Sequence, residues 1–351
     1  MPKADVCPVA LFLFGTIGNL LILLTLRNLR LGRSSMHLYL RALAISDLLV
    51  LYTGLLRQWL AWTFDVDLRD QHVILCKLHT WLLHVTLYTS SWLLVVMTLE
   101  RSCSACFPHR VSSFCTKRRA CLVILVIVAS QLAIQSHFLI GLSLVPNPSN
   151  VTVCAASSTQ YDFVVNTILP IADVVLLSLL PFLFVIVGNV VIVWRAFLSL
   201  KTAAELSLTF SKNVLQRKRR TSSMTIILIG LSAIFLLTTS PSCVYNLWEL
   251  GGGDDSSVHG AARAELAWAL VNILMYCNNT FNFYLYCLSG RKFRNEMRRQ
   301  FSRPHTDSLS NAPSGVSVQM QRLAHSDVYN SSYSPLTYQT SLIARQSNAY
   351  L

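Results

Sequence analysis

Glu100 and Arg101 stand side by side where an apolar stretch, Cys76 to Met97, gives way to a basic segment with His109, Arg110, Lys117, Arg118 and Arg119. Arginine keeps its charge in proteins, so a guanidinium at the edge of hydrocarbon is costly unless something gains from it. The plain alternative is a basic flank with a stray acid. Asp47 is a second costly group, a carboxylate in the middle of an apolar block. It either ties helices together by hydrogen bonds or marks a cation site. Arg57, His84 and Asp173 also interrupt apolar segments. Arg57 has the chemistry to bind a ligand carboxylate or amide carbonyl, and Asp173 an amine or guanidinium. Each could instead snorkel outward or pair internally. Trp268, Asn272, Tyr276, Tyr245 and Asn246 would complete an aromatic and polar pocket. The chain holds no His/Cys metal spacing, no Gly-rich phosphate loop and no nucleophile elbow, so it reads as non-enzymatic.

Membrane helices are the elements that must hold these residues. The 351 residues are 53% hydrophobic and 13% charged, where a soluble domain is about a quarter charged. The apolar residues fall into blocks at Pro8–Leu26, Leu38–Trp62, Cys76–Leu99, Cys121–Val145, Phe163–Trp194, Met224–Leu247 and Leu266–Leu288. Each is long enough to cross a bilayer as a helix, which takes about 20 residues, and a helix satisfies its own backbone groups. The expected fold is an all-α integral membrane protein. A short extracellular segment (1–7) precedes a seven-transmembrane helix bundle (8–288). The first block lacks a small-residue cleavage site with a soluble domain behind it, so it is expected to be its own insertion signal. Phe293, Met297 and Phe301 recur every four positions among basic residues. That pattern predicts a short amphipathic eighth helix over 289–301, lying along the inner membrane surface. Residues 302–351 are Ser-rich, polar and aperiodic, and read as a disordered cytoplasmic tail.

The net charge is +13, but its distribution argues against nucleic acid. Lys and Arg gather in alternate connections, such as Arg27 to Arg41, Arg110 to Arg119, Arg195 to Arg220, and Arg291 to Arg299. The other connections are acidic or mixed, with Asp65, Asp67 and Asp70 in one. The positive-inside rule then places the N-terminus outside and the C-terminus in the cytoplasm. Of the ten cysteines, Cys103, Cys106, Cys115 and Cys121 fall on the reducing side. Cys76 and Cys154 fall on the outer side, with Cys7 as the further outer candidate. Asn150-Val151-Thr152 is a glycosylation acceptor in an outer loop. The paired broken helices of a transporter are not seen. The charges are single and sit at two depths, Asp47 deep and Arg57 with Asp173 high.

Several short motifs occur in a fixed order. They are Gly18-Asn19, Leu43-Ala44-Ile45-Ser46-Asp47, Glu100-Arg101-Ser102, Pro108, Pro181, Phe235 with Pro241, and Asn282-Phe283-Tyr284-Leu285-Tyr286 followed by Phe293. Taken together, up to Phe301, the chain resembles a rhodopsin-like (class A) G-protein-coupled receptor. The stretch from Asn278 to Gly290 and Thr238-Thr239-Ser240-Pro241 are most similar to the neuropeptide branch, including FMRFamide-type receptors and related orphan receptors. Five features depart from the family pattern, the first being that the fourth span has no Trp. Ser102 replaces Tyr, Phe283 replaces Pro, the aromatic of the sixth span is absent, and Thr221 stands where many members place an acid.

The resemblance implies roles residue by residue. Glu100 would hold Arg101 at rest, and Arg101 with Tyr286 would transduce the signal to a heterotrimeric G protein, aided by Pro108, Phe235, Pro241 and Asn282. Asp47 would hold a sodium ion with Ser90, Asn278 and Asn282, the one cofactor-like group expected. Asn19 would bridge the first, second and seventh helices. Cys76 would pair with Cys154. Leu83 stands where amine receptors carry Asp, which argues against an amine ligand. Leu83 and His84 would line the ligand site with Arg57, Asp173 and the aromatic residues above. The implied function is a receptor for an extracellular ligand, a neuropeptide before a small aromatic or amino-acid-like molecule. Arrestin at the Ser-rich tail and membrane lipid are the other implied partners. The reading from a different class is a seven-helix transporter or channel.

Overall fold

The computed structural model describes residues 6–28, 35–108, 110, 115–147, 150–205, 212–251, 258–289 and 291–301. The apolar blocks of the sequence lie in helix, except that the end of the fourth, Leu142–Val145, is in a strand. The helices are α1 (Val6–Asn28), α2 (Met36–Phe64), α3 (Val73–Cys106), α4 (Lys117–Gly141) and α5 (Thr159–Leu198, helical on to Glu205). α6 (Lys212–Leu250), α7 (Val258–Ser289) and a short α8 (Arg291–Phe301) follow. Among the described residues, α1 to α5 are long and apolar enough to cross a membrane. Of the outer segment expected at 1–7, residues 1–5 lie outside the described residues, while Val6 and Cys7 belong to α1; the segment expected at 302–351 and the side chains of Tyr286 and Phe301 also lie outside them.

The helices extend past the apolar blocks, because a nucleated helix gains one hydrogen bond for each residue it adds. α3 therefore carries Glu100 and Arg101 inside its last turns rather than at its end. It stops at Cys106, where Phe107 leaves the helical region ahead of Pro108, as the residue before a proline must. α3 packs against α2 and α5, and α7 against α1 and α6. Leu43, Leu93, Leu94, Met97, Leu231 and Phe235 form the buried centre. Large apolar residues such as Leu125, Ile140, Val190 and Phe197 are left exposed on α4 and α5, as a lipid-facing surface requires.

Pro181, which matches the family pattern, and Ser102, which departs from it, both have structural consequences. Pro181 has no N–H to give the carbonyl one turn back, Leu177 O. The helix accommodates this with a π-turn at Asp173–Leu179, and Ser91 of α3 donates to Leu177 O at 3.0 Å. Ser102 occupies a close crossing of α3 and α5. Its hydroxyl donates to Thr98 O and Gly188 O, both at 2.9 Å. A Cβ on Gly188 would meet Thr98 Cγ2 at 2.7 Å. Small residues let helix backbones approach without a hydrophobic driving force between them. Gly188→Ala is expected to lower stability by about 1–3 kcal/mol, read as the thermal midpoint in detergent. An unchanged midpoint would show that the crossing relaxes freely.

Among the described residues, the exception to the all-α expectation is a hairpin between α4 and α5. Its strands are β1 (Leu142–Pro146) and β2 (Thr152–Ala156), antiparallel with Leu144 opposite Cys154. Cys154 is disulfide-bonded to Cys76 of α3, with Cα atoms 5.4 Å apart. Asp70 accepts a hydrogen bond from Cys154 N at 2.7 Å, which further ties the hairpin down. Asn150 sits exposed at the hairpin tip in a left-handed conformation (φ 62°) that asparagine tolerates.

Candidate functional site: a buried carboxylate, an inner arginine and an outer polar cluster

Asp47 is fully buried, and two helices, α3 and α7, supply its three partners. Ser90 Oγ of α3 donates to Oδ1 at 2.9 Å, and Asn279 Nδ2 of α7 to the same oxygen at 2.7 Å. Asn282 Nδ2 donates to Oδ2 at 2.5 Å. Asn279 was not anticipated as a partner. Asn278, the expected one, instead borders a small adjoining cavity with Ser90, Asn282 and Phe235. The reason is helical phase, because neighbours on a helix point about 100° apart and only one of the two asparagines can reach the carboxylate. The cavity, about 10 Å³, has room for about one water-sized particle. Asp47 is not among the residues that line the cavity, and its two oxygens are engaged by the three donors; a carboxylate, a hydroxyl and amide oxygens are nonetheless the kinds of donor that a small hard cation takes.

Asn19 of α1 donates to Asn279 O at 2.9 Å and to Gly15 O at 3.0 Å. It thus joins the first and seventh helices. Among the described contacts it makes no hydrogen bond to the second, which corrects the three-helix bridge expected of it. α7 runs unbroken from Val258 to Ser289, because Phe283 keeps the backbone donor that a proline would lack. A Cβ on Gly18 would lie 2.9 Å from Phe283 Cβ, so α1 closes tightly on this residue. Phe283 also packs edge-on against Phe293 of α8, with ring centres 6.0 Å apart. Arg294 Nη1 caps Cys287 O at 2.7 Å.

At the inner end of α3, Glu100 does not hold Arg101. Its carboxylate accepts a hydrogen bond from Ser35 at the start of α2 and another from Tyr39. Among the described residues no ion pair joins it to Arg101, whose Nε is buried without a hydrogen-bond partner. Consecutive residues on a helix diverge in direction, and α2 lies on the Glu100 side. Pro108 is exposed in the turn that follows. Phe235 is buried and meets Phe182 edge-on at 5.2 Å, while Pro241 lies inside α6.

The outer residues fall into separate groups rather than one pocket. Arg57 is committed to an internal partner, Asp67, at 2.6 Å, and Arg69 contacts the same carboxylate at 2.9 Å. Burial would raise the Asp67 pKa, but hydrogen bonds from Arg69 and the charges of both arginines hold it at about 2. A carboxyl group with a depressed folded pKa stabilises the fold above its ordinary value of 3.8, and that contribution is lost as pH falls towards 2. Asp67→Asn is therefore expected to reduce thermal stability at neutral pH and to flatten the acid limb of the stability profile. A variant whose profile matched the parent between pH 4 and 2 would remove Asp67 from that account.

Asp173 accepts from Tyr88 Oη at 2.6 Å. His84, one turn before Tyr88, lies over Phe138 with ring centres 4.3 Å apart, and Phe138 is stacked equally closely on His137. His137 Nδ1 is 2.7 Å from Tyr161 Oη. This cluster of α3, α4 and α5 contains Tyr88, His137 and Tyr161, which sequence reasoning missed. The periodic signal for Tyr88 was present, four residues after His84. Leu83 and Asn246 are half-buried. Tyr276 is buried against α1 and α2 beside Gly54. Tyr245 donates to Ala264 O of α7 at 3.3 Å. Trp268 is 39% exposed and packs edge-on with Trp62 of α2 at 6.0 Å. Asn272 turns back to Trp268 O of its own helix at 2.8 Å.

A family model for the 7 transmembrane receptor (rhodopsin family) matches residues 18–286. The chain is similar to growth hormone secretagogue receptor type 1 of Oryctolagus cuniculus, 38% identical over 126 residues, covering 34% of this chain and 32% of that receptor. It is similar to the human vasopressin V1b receptor, 38% identical over 96 residues, 27% of this chain and 22% of that one. It is also similar to cephalotocin receptor 1 of Octopus vulgaris, 31% identical over 119 residues, 34% of this chain and 30% of that one. The matched segments thus span about a third or less of the length of these relatives. The family match covers most of the chain, and its span includes the buried carboxylate, the inner arginine and both disulfide cysteines: the protein belongs to the rhodopsin family of seven-transmembrane receptors.

Proposed function

We propose that the protein binds an extracellular peptide and activates a heterotrimeric G protein from the plasma membrane, with its N-terminus outside and its C-terminus in the cytoplasm. The observation that carries this reading is Arg101, a half-buried guanidinium at the inner end of α3 that no ion pair holds among the described residues. Such a group is costly where it stands, and a cytoplasmic partner offering backbone carbonyls would satisfy it. Support for a peptide comes from relatives whose names refer to growth hormone secretagogues, vasopressin and cephalotocin, and from Leu83, where an amine receptor would need an acid. The His84–Asp173 cluster is the candidate contact for a polar or basic ligand group, whereas Arg57 acts through Asp67 to fix the outer end of α2. A sodium ion at Asp47, glycosylation at Asn150 and arrestin at the Ser-rich tail belong to the same reading. The test is guanine-nucleotide exchange on purified G protein, driven by members of a neuropeptide library and run beside solute uptake into vesicles carrying the chain. Ligand-dependent exchange without uptake supports a receptor, and uptake without exchange would replace it by a transporter.

A further inference from the structure

At the inner end of the bundle, α2, α3 and α4 leave a crevice of about 430 Å³. That volume falls within the range of small-molecule sites, about 300–1,000 Å³. Val96, Leu99, Phe107 and Val123 make it apolar, and Arg110 and Arg119 also line it. Arginines with apolar stems and charged tips suit the headgroup level of a membrane. Cys103 opens into the crevice and is exposed. Its spacing from Leu99 and Val96 puts all three on one face of α3, so a chain attached at Cys103 can run along that face towards the bilayer centre. The other nearby thiols are less suited. Cys115 lies 3.3 Å from Ser104 Oγ, and burial raises its pKa despite that contact, which lowers its thiolate content. Cys106 and Cys121 do not line the crevice.

We infer that Cys103 is a site of S-acylation by a long-chain fatty acyl thioester, its acyl chain occupying the crevice between α2, α3 and α4. The Cys103 thiol gives up its proton, and the sulfur attacks the carbonyl carbon of a fatty acyl-coenzyme A. The carbon–sulfur bond to coenzyme A breaks, and coenzyme A leaves as the thiol with the proton. Nothing is oxidised or reduced. A juxtamembrane cysteine is the ordinary acceptor for such chemistry.

The inference rests on the orientation proposed above, which puts Cys103 on the cytoplasmic side. Cells expressing the full chain with a C-terminal epitope are fed an alkynyl fatty acid, and label on the purified protein is measured before and after neutral hydroxylamine. The expected result is hydroxylamine-sensitive label that is lost in Cys103→Ser and kept in Cys106→Ser and Cys121→Ser at equal surface expression. Label that persists in Cys103→Ser overturns the site. Absence of label on the parent overturns acylation and leaves a free lipid as the occupant. Epitope staining without permeabilisation would show separately that the orientation, rather than the chemistry, had failed.

Discussion

Replacing Arg101 by alanine is expected to bring ligand-stimulated nucleotide exchange down to background while leaving ligand affinity in the absence of G protein unchanged. The residue sits at the inner end of α3, whereas the His84–Asp173 cluster lies in the outer half, so its loss should uncouple the two sites without emptying either. Linkage makes this quantitative. If a bound G protein raises agonist affinity by some factor, agonist raises G-protein affinity by the same factor, about 5–150-fold for a typical coupling. In Arg101→Ala that factor should fall to one. Competition binding with and without purified G protein measures it directly. A mutant that retained the shift at equal surface expression would remove Arg101 from the coupling path. Arg101→Lys is informative beside it, because an ammonium keeps the charge but loses the planar fork of donors. Glu100→Gln should change coupling much less, since Glu100 is occupied with Ser35 and Tyr39.

Asp47 carries the second large effect. Asp47→Ala would leave Ser90 Oγ, Asn279 Nδ2 and Asn282 Nδ2 buried without their acceptor. Each unsatisfied donor costs about 1–3 kcal/mol, so a loss of about 3 kcal/mol or more is expected, with correspondingly poor surface expression. Asp47→Asn should be milder, because an amide oxygen can still accept and Asn282 can rotate its own amide to match. The same pair separates stability from ion binding. If the adjoining cavity takes sodium, the ion should lower agonist affinity in the parent by favouring the resting state, and Asp47→Asn should abolish that dependence while remaining folded. Agonist affinity in sodium against an organic cation at constant ionic strength, with thermal midpoints in both, gives the answer. A parent indifferent to sodium would make Asp47 a structural hydrogen-bond centre, and an Asp47→Ala variant as stable as the parent would contradict the three-donor network itself.

The bundle was legible in the sequence because hydrocarbon leaves few choices: seven apolar blocks could cross only as helices, and their order carried the motifs of the family. The short amphipathic α8, the cysteine pair and the central role of Asp47 were legible for related reasons, since each rests on local spacing or on a residue type that apolar surroundings make expensive. Partner choice was not legible. Asn278 and Asn279 are adjacent and chemically identical, and only the rotation of α7 against α2 and α3 decided which one reaches the carboxylate. Glu100 and Arg101 look like a pair in one dimension, but helical geometry turns them apart and α2 supplies Ser35 and Tyr39 to the acid. Arg57 looked available to a ligand until the loop after α2 brought Asp67 onto it. Spacing alone did not show that Trp268 meets Trp62 or that Asn272 bonds back to its own helix. The hairpin between α4 and α5 arose from pairing across an irregular loop. Periodicity reads the environment a residue needs. Which neighbour meets that need depends on helix rotation and on contacts between segments far apart in the chain, and those are set by packing of the whole bundle.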